Sequence, residues 1–251
     1  MKKISWNFNP LKSGMVILAM ACLLASSSVF ADGDSHMASQ GEKDFAKNIY
    51  DTFQKALPPG PEGWERTQAT EVKELGRVFV TNGWPLPLEY SVSWQDSKAL
   101  QEASMKEAEE IQKLAKENPA NINDKTTKDI FKKTAAKDAT LKIKLETNAH
   151  SVSIQKDFVA AAPVAGGQSF RKESAYGDSG SWNEGATLVF LGKGWKLTGS
   201  GSSRYMESSA VKGAPVDSAQ TIVVQIQADP ERAKQIISKI DWEALKKLIK
   251  S

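Results

Sequence analysis

The chain has 251 residues, with 33 Lys and Arg against 30 Asp and Glu. Three of the basic residues and none of the acids lie in the first 31 positions, so the remainder is near neutral and has no general attraction for nucleic acid. The only cysteine also lies there, which excludes disulfides, thiol nucleophiles and cysteine metal sites from the remainder.

The first 31 residues have the three parts of a secretory signal peptide. Three lysines give a basic start, residues 14–25 carry no charge, and small residues precede a cleavage position between Ala31 and Asp32. We therefore expect export across a bacterial inner membrane, removal of residues 1–31, and a periplasmic mature chain.

Two alternatives for this leader remain open. A retained membrane anchor would need roughly 20 apolar residues, and the uncharged stretch is shorter. A lipoprotein cut before Cys22 would use Ala19, Met20 and Ala21, which resemble a lipobox only loosely. We expect no integral membrane segment in the mature chain.

The segment after the leader is polar, and residues 32–42 predict a disordered start. A helix is predicted over 44–57, because apolar residues recur at four-residue steps from Phe45 onward. Pro58 ends this helix, since proline cannot continue the backbone ladder.

A helical insertion is predicted between strands. Apolar and polar residues alternate over 88–94, which is typical of a half-buried strand. The spacing of the apolar residues then changes to that of an amphipathic helix, rich in charged residues, over 97–117. A second short helix is predicted over 125–137. The insertion is therefore expected to span 96–138.

The chain from Thr140 onward reads as short strands separated by turn residues. The strand candidates are 140–146, 151–155, 169–176, 185–191, 195–199 and 221–227. Short connections between consecutive strands predict an antiparallel meander.

The carboxyl end predicts one or two amphipathic helices. Asp229 is an N-cap candidate, Pro230 fits the first helical position, and Asp241 can start a second helix. The fold class is therefore α+β: a single domain over 43–251, with an antiparallel sheet, an amino-terminal helix, the insertion and carboxyl-terminal helices packed on the sheet.

No catalytic, metal or cofactor site is expected. His150 lies beside Ser151, but adjacent residues on an extended chain point to opposite sides, and His36 lies in the polar start. No metal-ligand spacing occurs. The alternative is a hydrolase that uses carboxylates in 173–184, with Asp178 and Glu184 as the candidate pair.

Three tryptophans are candidate anchors for a partner. Trp64, Trp84 and Trp182 lie beside Gly, Pro or Asn in predicted loops, where exposed aromatic residues often bind. They could instead fold back as lids on the core, because indole area gains most when it is buried.

The basic carboxyl-terminal region gives another alternative. Residues 231–250 could lie on an anionic membrane surface, or they could pack their apolar face on the sheet.

Two segments together resemble an uncharacterised group of small exported bacterial proteins. These are the Pro-rich segment before Gly63-Trp64, and the strand over 221–227 followed by Ile240-Asp241-Trp242. The resemblance implies no activity and no residue role. The sequence thus predicts a non-catalytic binding protein of the cell envelope, whose partner is another envelope protein or component, with the oligomeric state left open.

Overall fold

The structure is a computed structural model and describes residues 35–79, 83–121, 123–201 and 203–250. Residues 1–34 lie outside this range, and with them the predicted leader, its predicted cleavage position at Ala31 and Asp32, and Cys22. The described residues form five α-helices and a short 3-10 turn. The helices are α1 (Gln40–Ala56), α2 (Ser97–Glu117), α3 (Asp124–Thr134), α4 (Pro230–Lys239) and α5 (Trp242–Lys247).

The described residues also form fourteen strands. They are β1 (Ser35–Met37), β2 (Glu65–Ala69), β3 (Arg77–Phe79), β4 (Glu89–Gln95), β5 (Thr140–Thr147), β6 (Ser151–Ser153), β7 (Val159–Val164), β8 (Gly167–Lys172), β9 (Ala175–Tyr176), β10 (Trp182–Asn183), β11 (Ala186–Gly192), β12 (Lys196–Ser200), β13 (Ser203–Glu207) and β14 (Thr221–Gln227).

A seven-stranded sheet organises the molecule, in the order β2-β4-β5-β14-β11-β8-β7. Every pairing in this sheet is antiparallel, so the predicted α+β class is confirmed. The last strand, β14, lies between β5 and β11 and joins two meanders that are separate along the chain. Apolar side chains on both faces of β14 are buried, which suits a central strand.

Each face of the sheet has its own core. Helices α1, α4 and α5 cover one face, where Phe53, Ile143 and Leu245 are fully buried. The small sheet β12-β13-β6 covers part of the other face, where Phe190 and Met206 pack. The alternating strand pattern directs successive side chains to these two layers.

The start of the described chain is ordered, unlike the disorder expected over 32–42. Strand β1 pairs with β3, and Ser39 caps α1 in a capping box with Glu42. Glu42 is buried and lies 2.9 Å from Nε2 of His36. Residues 35–42 are polar, as disordered segments are, but their side chains hydrogen-bond to one another at the start of a helix. Composition alone does not reveal these hydrogen bonds, so the prediction of disorder is wrong over 35–42.

The helical insertion connects β4 and β5, which pair directly with each other in the sheet. Gln95 lies opposite Thr140, and the Asp96 N–H donates to the Ala139 carbonyl at 2.9 Å. Helix α2 buries none of its residues, and α3 buries only Thr134. The insertion therefore stands outside both cores.

The carboxyl end forms two helices with separate caps, Asp229 for α4 and Asp241 for α5. Ile236, Ile240 and Leu245 are buried in the core. The apolar face of this region therefore packs on the domain, which is the packing alternative to a membrane surface. Over the described ranges, no helix combines the length and apolar character that a membrane span requires.

Candidate functional site at one end of the central sheet

Polar residues collect where four neighbouring strands of the sheet begin or end. Strands β5 and β11 begin at this edge, and β8 and β14 end there, as antiparallel neighbours must. The residues just beside these ends are called the strand-end cluster. Its members are Asp138, Arg171, Glu184, Asp229 and Arg232.

Glu184 is the buried acid of the strand-end cluster, with 7% of its surface exposed. Burial raises its pKa to about 7, and the charges of Asp138 and Asp229 act in the same direction. The Trp182 indole donates to its carboxylate at 3.2 Å, and the Thr140 backbone N–H also donates. Glu184 can therefore gain or lose a proton near neutral pH.

Arg171 ties three strands together at the same edge. Its guanidinium donates to the Thr187 hydroxyl at 3.1 Å and to the Ala228 carbonyl at 3.0 Å. Burial lowers the pKa of Arg171, while the charges of Glu173, Asp229 and Glu184 oppose that shift.

Asp229 and Arg232 connect the cluster to α4. One carboxylate oxygen of Asp229 accepts from the Arg232 backbone N–H at 2.9 Å. Among the described residues the other oxygen, which is buried, has no hydrogen-bond donor, although Nη1 of Arg232 lies 3.5 Å away at ion-pair distance. That guanidinium donates to the Asp138 carbonyl at 2.6 Å, and its Cζ lies 4.0 Å from the ring centroid of Trp64. Trp64 therefore covers Arg232.

Trp182 fastens the β9–β10 hairpin to the base of the insertion. Its ring contacts Tyr176 edge-on at 5.1 Å, and Nζ of Lys137 lies 5.2 Å from the Tyr176 ring and 5.3 Å from the Trp182 ring. The Tyr176 hydroxyl donates to the Lys132 carbonyl in α3 at 2.7 Å. Gly180, with φ +86°, fits against the α3 backbone at Lys128, where a Cβ would crowd.

Trp84 lies at the opposite end of the sheet. Its ring stacks on His150 with centroids 4.5 Å apart and 10° between the planes, and Nζ of Lys212 is 5.6 Å from the ring. His150 follows the far end of β5. The three candidate tryptophans therefore do not meet at one place: Trp64 and Trp182 flank the strand-end cluster, and Trp84 does not.

All three tryptophans are half-buried, and each has a basic side chain over its ring. Intramolecular contacts of this kind stabilise the fold by cation–π attraction as well as by burial. These contacts are those expected of lids on the core, and partner binding by the three tryptophans stays a prediction.

The pairing of Asp178 with Glu184 stays a prediction. Asp178 lies in the exposed turn of the β9–β10 hairpin, and the carboxylates whose charges act on Glu184 are Asp138 and Asp229. Sequence reasoning named Glu184 but missed Asp138, Arg171 and Arg232, because no local pattern marks residues that meet only through strand pairing. In the described part of the chain, no group of three or more His, Cys, Asp or Glu is placed to hold a metal ion.

The molecule is an α+β domain. A buried polar cluster that contains a titratable acid lies at one edge of its central sheet, next to the base of the helical insertion. Comparison with known proteins finds no matching family model, curated protein or solved structure. The resemblance to small exported proteins therefore rests on the residues quoted for it alone.

Proposed function

We propose that this is an exported protein of the bacterial cell envelope that works without catalysis, by binding another envelope protein or component through its helical insertion. The observation that carries the proposal is the 21-residue α2, which projects from between two paired strands and buries none of its residues. Such a helix adds little to the core, so its side chains are available to contact the surface of a partner.

The insertion has a size and surface that suit a binding element. A helix of this length extends about 31 Å. Helix α3 packs along it, and Lys133 pairs with Glu110 at 2.5 Å. Met105 and Ile111 of α2 are exposed, at 52% and 36%. Apolar side chains set among charges on a projecting helix are typical of helix-mediated recognition.

The base of the insertion is held in a fixed direction. Trp182, Tyr176 and Lys137 stack there, and Gly180 fits against α3. A binding element held in place before the encounter loses less conformational entropy on association. Trp182 therefore supports binding indirectly, by positioning the insertion.

The test is affinity capture from a periplasmic extract of the native host. The variant Met105→Ser/Ile111→Ser removes apolar side chains from α2, and Val159→Ser removes one of similar exposure from β7, outside the insertion. We expect the α2 variant to lose the captured partner and the Val159 variant to keep it.

A second variant removes the insertion as a whole. Because Gln95 and Thr140 are paired, an Asn-Gly turn can join them in place of 96–139. Capture of the same partner by this variant, with its cooperative unfolding retained, would refute the proposal.

A second candidate function, an envelope hydrolase, has one specific observation in its favour. Glu184 has a pKa of about 7, which suits a general acid or base at neutral pH. An activity screen on envelope substrates would be followed by Glu184→Gln, with Asp178→Asn as the exposed control. Turnover lost in the Glu184 variant, with folding intact, would favour the enzyme, and wild-type turnover in that variant would remove this candidate.

A further inference from the structure

A groove lies on the helix-covered side of the molecule. It runs between the end of α1 with its Pro-rich loop and strands β2 and β4, and its volume is about 350 Å³. Volumes of 300–1,000 Å³ are usual for small-molecule sites. Its lining includes Gln54, Pro58, Arg66, Tyr90 and Trp94.

The groove wall depends on a glycine. Pro58 and Pro59 end α1, and Gly60 then lies directly against the indole of Trp94. A Cβ at position 60 would overlap Nε1 and Cδ1 of Trp94, so only glycine allows this close approach. Trp94 is 9% exposed, so its ring is fixed between the core and this loop.

The polar groups of the groove can all donate hydrogen bonds. They are the Arg66 guanidinium, the Gln54 amide, the Tyr90 hydroxyl and the Trp94 indole N–H, and none of the described residues that line the groove is Asp or Glu. Within the described ranges Arg66 has no carboxylate partner. Its guanidinium lies 3.5 Å from the Tyr90 hydroxyl, longer than an ordinary hydrogen bond. The Trp94 N–H likewise has no acceptor in the part of the chain that the structure describes.

We infer that this groove binds a small carboxylate with a flat apolar portion. Arg66 pairs with the carboxylate, because a guanidinium presents two parallel donors that match its two oxygens. The apolar portion lies against Pro58 and Trp94, and the Gln54 amide orients the ligand by donating a further hydrogen bond. This site is independent of the insertion and of the function proposed for it.

The test uses benzoate as the probe and benzamide as its neutral isostere. The mature chain is labelled with 5-fluorotryptophan, and the Trp94 signal is assigned by loss in Trp94→Phe. We expect millimolar or tighter binding of benzoate that shifts the Trp94 signal and leaves the other tryptophan signals in place. Benzamide should bind roughly tenfold more weakly, because it lacks the charge.

Variants identify the group that recognises the carboxylate. Arg66→Gln should weaken benzoate binding roughly tenfold, and Arg66→Lys should weaken it less, because lysine keeps the charge but loses the two-donor geometry. Lys196→Gln removes one charge from β12, outside the groove, and should leave binding unchanged. The inference is overturned by equal binding of benzamide, by full binding in Arg66→Gln, or by the absence of any shift at Trp94 up to millimolar benzoate.

Discussion

Glu184 couples the stability of the domain to pH. Its pKa is raised to about 7 in the folded chain, against an ordinary value of 4.5. Between these two pH values the folded state keeps a proton that the unfolded chain releases. The free energy of unfolding therefore falls as pH rises through this range, by up to about 3 kcal/mol.

Substitution of Glu184 by glutamine should remove this pH dependence. The amide keeps an oxygen for the Trp182 and Thr140 donors and has no charge to bury. Denaturant unfolding at pH 5 and pH 8 checks this: Glu184→Gln should be more stable than the wild type at pH 8, and nearly equal to it at pH 5. Asp178→Asn, in an exposed turn, is the control and should keep the wild-type slope. An unchanged slope in Glu184→Gln would assign the effect to other groups.

Asn148 joins three loops at the far end of the sheet. Its amide donates to the carbonyls of Leu86 and Ser218, and its oxygen accepts from the Gln220 N–H, all at 2.8 Å. Its φ is 57°, a conformation that asparagine tolerates better than most residues.

Asn148→Ala should therefore destabilise the domain by about 3–5 kcal/mol, because it leaves buried backbone groups unpaired and strains the backbone. Urea unfolding measures this loss. Asn183→Ala, at an exposed position of β10, should change stability by less than about 0.5 kcal/mol. A loss in Asn148→Ala no larger than that of the control would contradict the role given to this side chain.

At the scale of elements, the helices were predictable because their signals are local. The observed bounds of α2 coincide with the predicted 97–117, and Asp229 and Asp241 cap helices as their positions indicate. The edge strands β2 and β7 were missed, since their side chains are mostly exposed on both faces and show no apolar alternation. The neighbours of Glu184 come from strand pairing between distant segments, which no local pattern encodes.

Trp182 should hold the insertion in place. Trp182→Ala removes the edge contact with Tyr176, the Lys137 cation above the ring and the hydrogen bond to Glu184. We expect faster hydrogen exchange in α3, while exchange in β14 stays near the wild-type rate.

The control for this experiment is Trp84→Ala, which removes an indole of similar burial at the other end of the sheet. It should leave exchange in α3 unchanged. Equal acceleration of α3 exchange in both variants would mean that Trp182 acts through global stability rather than through its local contacts.

In the molecule as a whole, both edge strands of the central sheet have features that hinder pairing with a further strand. The pairing of β2 with β4 and that of β7 with β8 each contain a register shift. Strand β7 also carries Pro163, which has no N–H to offer a further strand. Irregular edges of this kind disfavour pairing between copies of the chain.

The export proposal predicts a defined amino terminus for the whole molecule. Intact-mass measurement of protein recovered from the periplasm of the native host should give a chain that begins at Asp32. A lipid-modified chain beginning at Cys22 would support the lipoprotein alternative. Protein that keeps residues 1–31, or that is found mainly in the cytosol, would contradict export with cleavage.

The central position of β14 has a consequence for when the molecule can fold. Strands β5 and β11 have no strand between them until residues 221–227 have been synthesised, so the seven-stranded sheet closes only once β14 is present. Pairings between segments far apart in sequence are also slow to form. A chain that stops before β14 would therefore hold two separate groups of three strands rather than a smaller version of the seven-stranded sheet.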